Sequence, residues 1–154
     1  MKIVAQNKKA FHDYEILDRI EAGVVLAGDE VKSIRAGHVS LAGSFAQIVE
    51  NELWLKNCHI TLYKQAYDYA RREEEYATRN RKLLLSRRQL NRIISDISRQ
   101  GITVVPLKVY FNDKNLIKVE LGIAKGKKSA DKRQALKERD IKRQTDRELR
   151  GYKS

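Results

Sequence analysis

The stretch Gly122–Arg133, GIAKGKKSADKR, divides the chain into two kinds of sequence and so limits the folds open to it. Before it, apolar residues recur in alternation; after it they nearly vanish. From Gly122 to Ser154 there are twelve Lys and Arg against five Asp and Glu, so the last fifth of the chain holds +7 of the total +12. Gly126 opens backbone conformations barred to other residues, and Lys125, Lys127 and Lys128 crowd like charges together, which opposes packing without an anion. The expectation is a folded domain over residues 1–123 followed by a basic C-terminal tail over residues 124–154.

A chain of 154 residues suits one domain with an appendage. Its 42% hydrophobic and 34% charged residues exclude a membrane protein and, for the body, a disordered one. The surplus of Lys and Arg gives a field that attracts polyanions, nucleic acid above all. One cysteine, Cys58, with three scattered histidines, His12, His38 and His59, builds neither an internal disulfide nor a four-ligand zinc site. With no apolar run long enough to span a bilayer and no signal-peptide pattern in MKIVAQNKKAF, a cytoplasmic, non-membrane protein is expected.

In chain order, Met1 to Asp13 reads as a partly ordered arm carrying Lys2, Lys8 and Lys9. An extended segment from Tyr14 to Leu26 follows, with a bend or bulge at Gly23. Asp29 is placed to cap a short helix from Glu30 to Arg35, with Val31 and Ile34 inward and Gly37 in the left-handed position that ends it. Phe45 to Val49 and Leu53 to Ile60 read as a hairpin turning at Glu50-Asn51-Glu52. Tyr63 to Arg81 reads as a long loop with some helix. Ser86 and Gln89 form a capping box for a helix that aligns Leu90, Ile93, Ile94 and Ile97 on one face and stops by Gly101. Two long strands, Ile102 to Phe111 and Leu116 to Ile123, flank the turn Asn112–Asn115, and Pro106 demands an edge or a bulge. Six or so strands with one to three helices fit a mainly β fold, a small barrel with Greek-key character, the oligonucleotide-binding type among others.

The tail has high helix propensity, and as a helix it would be roughly 30 Å long at ~1.5 Å per residue. Arg139, Arg143, Arg147 and Arg150, with Lys132 earlier, would form one basic stripe. Its apolar content is too sparse to dock on the body, so it is expected to order only against a partner.

No glycine-flanked serine, phosphate-cradling loop or paired-histidine motif points to catalysis. Cys58 reads as a buried structural thiol on a strand, His59 as a surface histidine, and Trp54 as core or half-core. The arginines of the Ser86 helix read as a solvated face. Glu21 and Glu30 admit two readings: a turn residue and a helix first turn, or acceptors of hydrogen bonds from bases.

The motifs Asn7-Lys8-Lys9, His12-Asp13-Tyr14, Glu21-Ala22-Gly23, EVKSIRAG (Glu30–Gly37), RKLLL (Arg81–Leu85) and KGKK (Lys125–Lys128) before Asp131-Lys132-Arg133 resemble, in order and over the whole length, the SsrA-binding protein (small protein B) family of bacterial trans-translation. The resemblance implies an oligonucleotide-binding-type barrel that holds the tRNA-like domain of tmRNA and delivers it to stalled ribosomes, with no cofactor and no chemistry of its own. By matching position it implies RNA contacts, or support for them, at Asn7, Lys8, His12, Tyr14, Glu21, Lys32, Arg35, Leu84, Lys125, Gly126, Lys127 and Lys128. Asp131, Lys132, Arg133, Arg139 and Arg143 would meet the ribosome's decoding centre and mRNA channel. It implies a monomer that reaches elongation factor Tu and alanyl-tRNA synthetase only through tmRNA. The chain departs from the family pattern at Ala130, where a histidine or other large residue is common, and in the acidic loop Glu73-Glu74-Glu75. A structural ribosomal protein and an RNA-modifying enzyme are the alternative readings.

Overall fold

The computed structural model describes residues 1–61 and 77–127. Among them the chain forms, in order, β1 (Lys2–Gln6), α1 (Lys8–Asp13), β2 (Tyr14–Val24), α2 (Gly28–Arg35), β3 (Val39–Ser40), β4 (Phe45–Val49), β5 (Glu52–Lys56), β6 (His59–Ile60), β7 (Arg81–Leu84), α3 (Arg87–Ile97), β8 (Ile102–Phe111) and β9 (Ile117–Gly126). Six strands close into an antiparallel ring in the order β8, β4, β5, β7, β2, β9 and back to β8. Closure removes the exposed edges that would otherwise invite pairing with other chains. β3 and β6 form a separate two-stranded ladder.

The mainly β barrel expected from the sequence is what forms, with more strands than the six or so anticipated. The N-terminal segment is not an arm. β1 pairs with β8 from Lys2 opposite Phe111 to Gln6 opposite Lys108, and α1 follows directly. Asn7 makes this turn possible. Its Oδ1 accepts from Ala10 N at 3.2 Å, capping α1, while its Nδ2 donates to Pro106 O at 2.9 Å. Pro106 lies inside β8, which is paired on both sides, so the edge alternative falls and the bulge stands: the β8–β9 register shifts between Pro106 and Lys108.

β2 runs unbroken through Gly23, and its register shift against β9 lies between Ile16 and Asp18. Gly23 serves close approach instead, since a Cβ there would sit 3.2 Å from Leu84 Cβ on β7. The hairpin forms with Glu50 and Asn51 both left-handed (φ 51° and 63°), as two-residue turns matched to strand twist require. Its return strand is shorter than expected. It stops at Lys56, and Asn57 (φ 58°) redirects the chain so that Cys58 lies between strands and His59–Ile60 joins the second ladder.

α2 starts at Gly28, and its first turn is closed by Glu30, whose Oε1 accepts from Ala27 N at 2.9 Å; Asp29 is not the cap. Ile34 is buried and Val31 half-buried on its inner side, and Gly37 is left-handed at its end. α3 carries the anticipated Ser86–Gln89 capping box, buries Ile93 fully and packs Leu90 and Ile97 beside it on the core. The interior is filled by Leu53, Leu55, Val104, Val119, Leu121 and Ile123, each 0–1% exposed. Burying such a side chain contributes about 1.5–3 kcal/mol. Cys58 is buried too, and desolvation raises its thiol to about 11, which makes it packing material and a poor nucleophile.

Candidate nucleic-acid interface

The long β2–β9 ribbon sets the geometry of the candidate interface. Tyr14 pairs with Gly126 at one end and Gly23 with Lys118 at the other. Nine residues at ~3.3 Å each separate these ends by roughly 30 Å.

At the first end, α1 packs across β8 and the start of β2, burying Ala10 with Val105, Leu107 and Ala124, and Tyr14 and Ile16 lie partly buried against them. This seating leaves Lys8 and Lys9 exposed. His12 Nδ1 lies 2.9 Å from Asp13 Oδ1. The Asp13 carbonyl accepts from Lys127 N at 3.0 Å, which fixes the exit of β9 beside α1. Lys125 stands exposed between Glu15 of β2 and Ile102 of β8, and Lys127 Nζ reaches Phe11 O at 3.4 Å. Arg19 lies 5.6 Å above the Phe11 ring, a cation–π contact at the same end. A groove of about 340 Å³ opens here between Lys9, Tyr14, Phe45 and Thr103.

The second end is apolar with a cationic rim. Val25, Leu84 and Leu116 are 46%, 49% and 52% exposed, and Leu84 and Leu116 share one depression, an apolar exposure that folding alone does not ask for. Leu84, Leu116, Arg35 and Lys118 line a depression of about 380 Å³. Arg35 and Lys32 extend from the outer side of α2. An apolar floor edged by cations suits an RNA surface, whose bases offer flat faces and whose phosphates offer charge.

Glu21 lies two residues from Gly23 on the outer side of β2 and accepts a hydrogen bond from the Tyr110 hydroxyl. Glu30 settles differently. It is 2% exposed and bonded to Arg79 and Arg81, so of its two readings the helix first turn is the one realised. The residues singled out in the sequence therefore fall into two groups. Lys8, His12, Tyr14, Lys125, Gly126 and Lys127 gather at one end; Leu84, Lys32 and Arg35 gather at the other, with Glu21 near them. Asn7 is 6% exposed with both amide atoms engaged, so its part is to hold α1 in place. Lys128, Asp131, Lys132, Arg133, Arg139 and Arg143 lie outside the described residues, as does most of the Tyr63–Arg81 segment with Glu73–Glu75. Along α3 and just past its end the arginines are exposed, with Arg92 paired to Asp18 and Arg99, beyond the helix, to Asp96.

Two features escaped the sequence reading. Val25 and Leu116 read as strand residues, with nothing local to mark them as exposed. Arg81, read as the end of the long Tyr63–Arg81 loop, instead opens β7, where it alternates with Leu83 and so faces inward; that period-two pattern was the available signal. Its Nε donates to Glu30 Oε2 at 2.6 Å, its Nη1 to Cys58 O at 2.7 Å and its Nη2 to Ala77 O at 3.0 Å. EVKSIRAG and RKLLL thus meet inside the protein, and the pairing sets α2 against β7. Among the described residues no His, Cys, Asp or Glu cluster could hold a metal ion.

Comparison with known proteins extends this picture to most of the chain. Residues 4–151 match the family model described as SmpB protein. An SsrA-binding protein of Coprothermobacter proteolyticus is 48% identical over 96% of this chain and 97% of its own. One of Orientia tsutsugamushi is 52% identical over 97% of this chain and 95% of its own. A solved chain described as "tmRNA-SmpB: a journey to the center of the bacterial ribosome" shares 47% identity over 80% of this chain and 84% of its own, with a TM-score of 0.64. A barrel of this order, bearing these motifs at these positions and matched from residue 4 to residue 151, belongs to the SmpB family of SsrA-binding proteins.

Proposed function

We propose that this chain is a non-catalytic RNA-binding adaptor that binds the tRNA-like domain of tmRNA and delivers it to stalled ribosomes for trans-translation. The carrying observation is the near-full-length match to SsrA-binding proteins at about half identity, including a chain solved with tmRNA in a ribosomal setting. In this reading Leu84, Arg35, Lys32 and Glu21 meet the folded RNA, and Lys8, His12, Tyr14 and the Lys125–Lys128 segment extend the contact at the far end of the ribbon. Asn7 supports that end from within. Residues Asp131, Lys132, Arg133, Arg139 and Arg143 serve the ribosome's decoding centre and mRNA channel. The adaptor acts in the cytoplasm as a monomer, and elongation factor Tu and alanyl-tRNA synthetase come to it through tmRNA. Among the described residues no helix is long and apolar enough to cross a membrane.

A direct test titrates the full chain with a transcript of the tRNA-like domain and, separately, with an ordinary tRNA. Tight binding of the first is expected, with at least tenfold weaker binding of the second, and six to ten neutralised phosphates would lower affinity about 10³- to 10⁵-fold between ~50 and ~200 mM salt. Equal affinity for both RNAs would contradict the reading.

A further inference from the structure

The outer side of the β2–β9–β8 ribbon holds an arrangement that folding alone disfavours. Glu21 stands directly opposite Glu120 in the β2–β9 register, and facing like charges destabilise a sheet. Glu120 is compensated, because Arg19 Nη1 donates to its Oε1 at 3.1 Å and Lys108 Nζ lies 3.9 Å from its Oε2. Glu21 has no cationic partner among the described residues. Its Oε2 accepts from the Tyr110 hydroxyl instead. In a protein of net charge +12, an exposed carboxylate could easily have been given a lysine. A neutral donor leaves its charge in place.

Tyr110 is built to hold that carboxylate still. It is 5% exposed on β8, set between Ile3 of β1 and Lys118 of β9. With only two side-chain torsions and its ring packed, the hydroxyl is fixed in space. Burial first, then the bond to Glu21 and the charges of Glu21 and Glu120, push the phenol above its ordinary range, so it stays a donor at any working pH.

A carboxylate only accepts hydrogen bonds and repels phosphate. On RNA its partners are therefore donors, the ribose 2′-hydroxyl and the N–H groups on base edges, of which the amino groups of unpaired bases are the most freely presented. We propose that Tyr110 is a positioning residue: by engaging Oε2 it fixes the Glu21 side chain and leaves Oε1 to accept from the amino group of an unpaired RNA base. This rests on the adaptor reading with Glu21 as a contact.

The test compares full chains carrying E21Q, Y110F or both, titrated with the tRNA-like domain transcript at fixed salt, with a thermal midpoint for each. Phe keeps the ring packing, so Y110F should melt close to the parent. E21Q is expected to weaken binding roughly tenfold or more and Y110F roughly five- to tenfold, with the double variant no weaker than E21Q within about twofold. In parallel, the parent should protect an unpaired base from base-edge modifying reagents, and both single variants should lose that protection. If E21Q weakens binding while Y110F binds like the parent, or if the two losses multiply, the positioning role is overturned and the Glu21 contact stands. If E21Q itself binds and protects like the parent, the Glu21 contact fails and the proposal with it.

Discussion

Replacing Arg81 with Ala is expected to lower the free energy of unfolding by about 3–5 kcal/mol, the usual consequence of leaving one partner of a buried ion pair behind. Arg81 is fully buried and Glu30 is 2% exposed, so the stranded carboxylate has no route to water. Arg79 also bonds to Glu30, but its side chain is 32% exposed and it cannot replace the lost donors to Cys58 O and Ala77 O. Arg81→Lys should cost nearly as much, because a single ammonium cannot serve two carbonyls and a carboxylate in the fixed directions of the guanidinium fork. The pair E30Q with Arg81→Met should recover part of the loss, since no buried carboxylate remains and Arg79, which loses its Glu30 partner, is 32% exposed. Urea denaturation at neutral pH decides this, and a loss below about 1 kcal/mol for Arg81→Ala would show that the pairing does not organise the barrel.

Removing residues 128–154 is the change expected to have the largest functional effect. That segment carries ten Lys and Arg against five Asp and Glu, and β9 ends at Gly126. The truncated barrel should keep its thermal midpoint within about 2 °C and lose no more than about tenfold in affinity for the tRNA-like domain near 150 mM salt, because the apolar floor and its cationic rim remain. Rescue of translation on a message lacking a stop codon should fall to background in a reconstituted system. Rescue at the parental level by the truncated chain would contradict the assignment of separate tasks to body and tail.

What could be read from the sequence was local. The α3 capping box, the hairpin turn at Glu50-Asn51 and the Asn112–Asn115 turn each depend on neighbours within four positions, and each formed where expected. In that turn Asn112 Oδ1 accepts from Lys114 N and Leu116 N at 3.0 and 2.9 Å. The partners that shape the candidate interface are remote in sequence. Asn7 bonds to Pro106 across 99 positions, Glu21 to Tyr110 across 89 and Glu30 to Arg81 across 51. No local pattern names the remote partner in such a pairing, so β1 passed for an arm and Arg81 for the end of a loop. The resemblance supplied the interface residues as one set, and only the barrel's path separates them into two groups on opposite ends of a ribbon and turns Asn7 inward.

The most direct measurement is to capture the full chain from cells in which ribosomes are stalling and to sequence the RNA that comes with it. A single abundant species with a tRNA-like end is the predicted result, at near equimolar amount to the protein. A spread of ribosomal and messenger fragments with no such species would contradict the account.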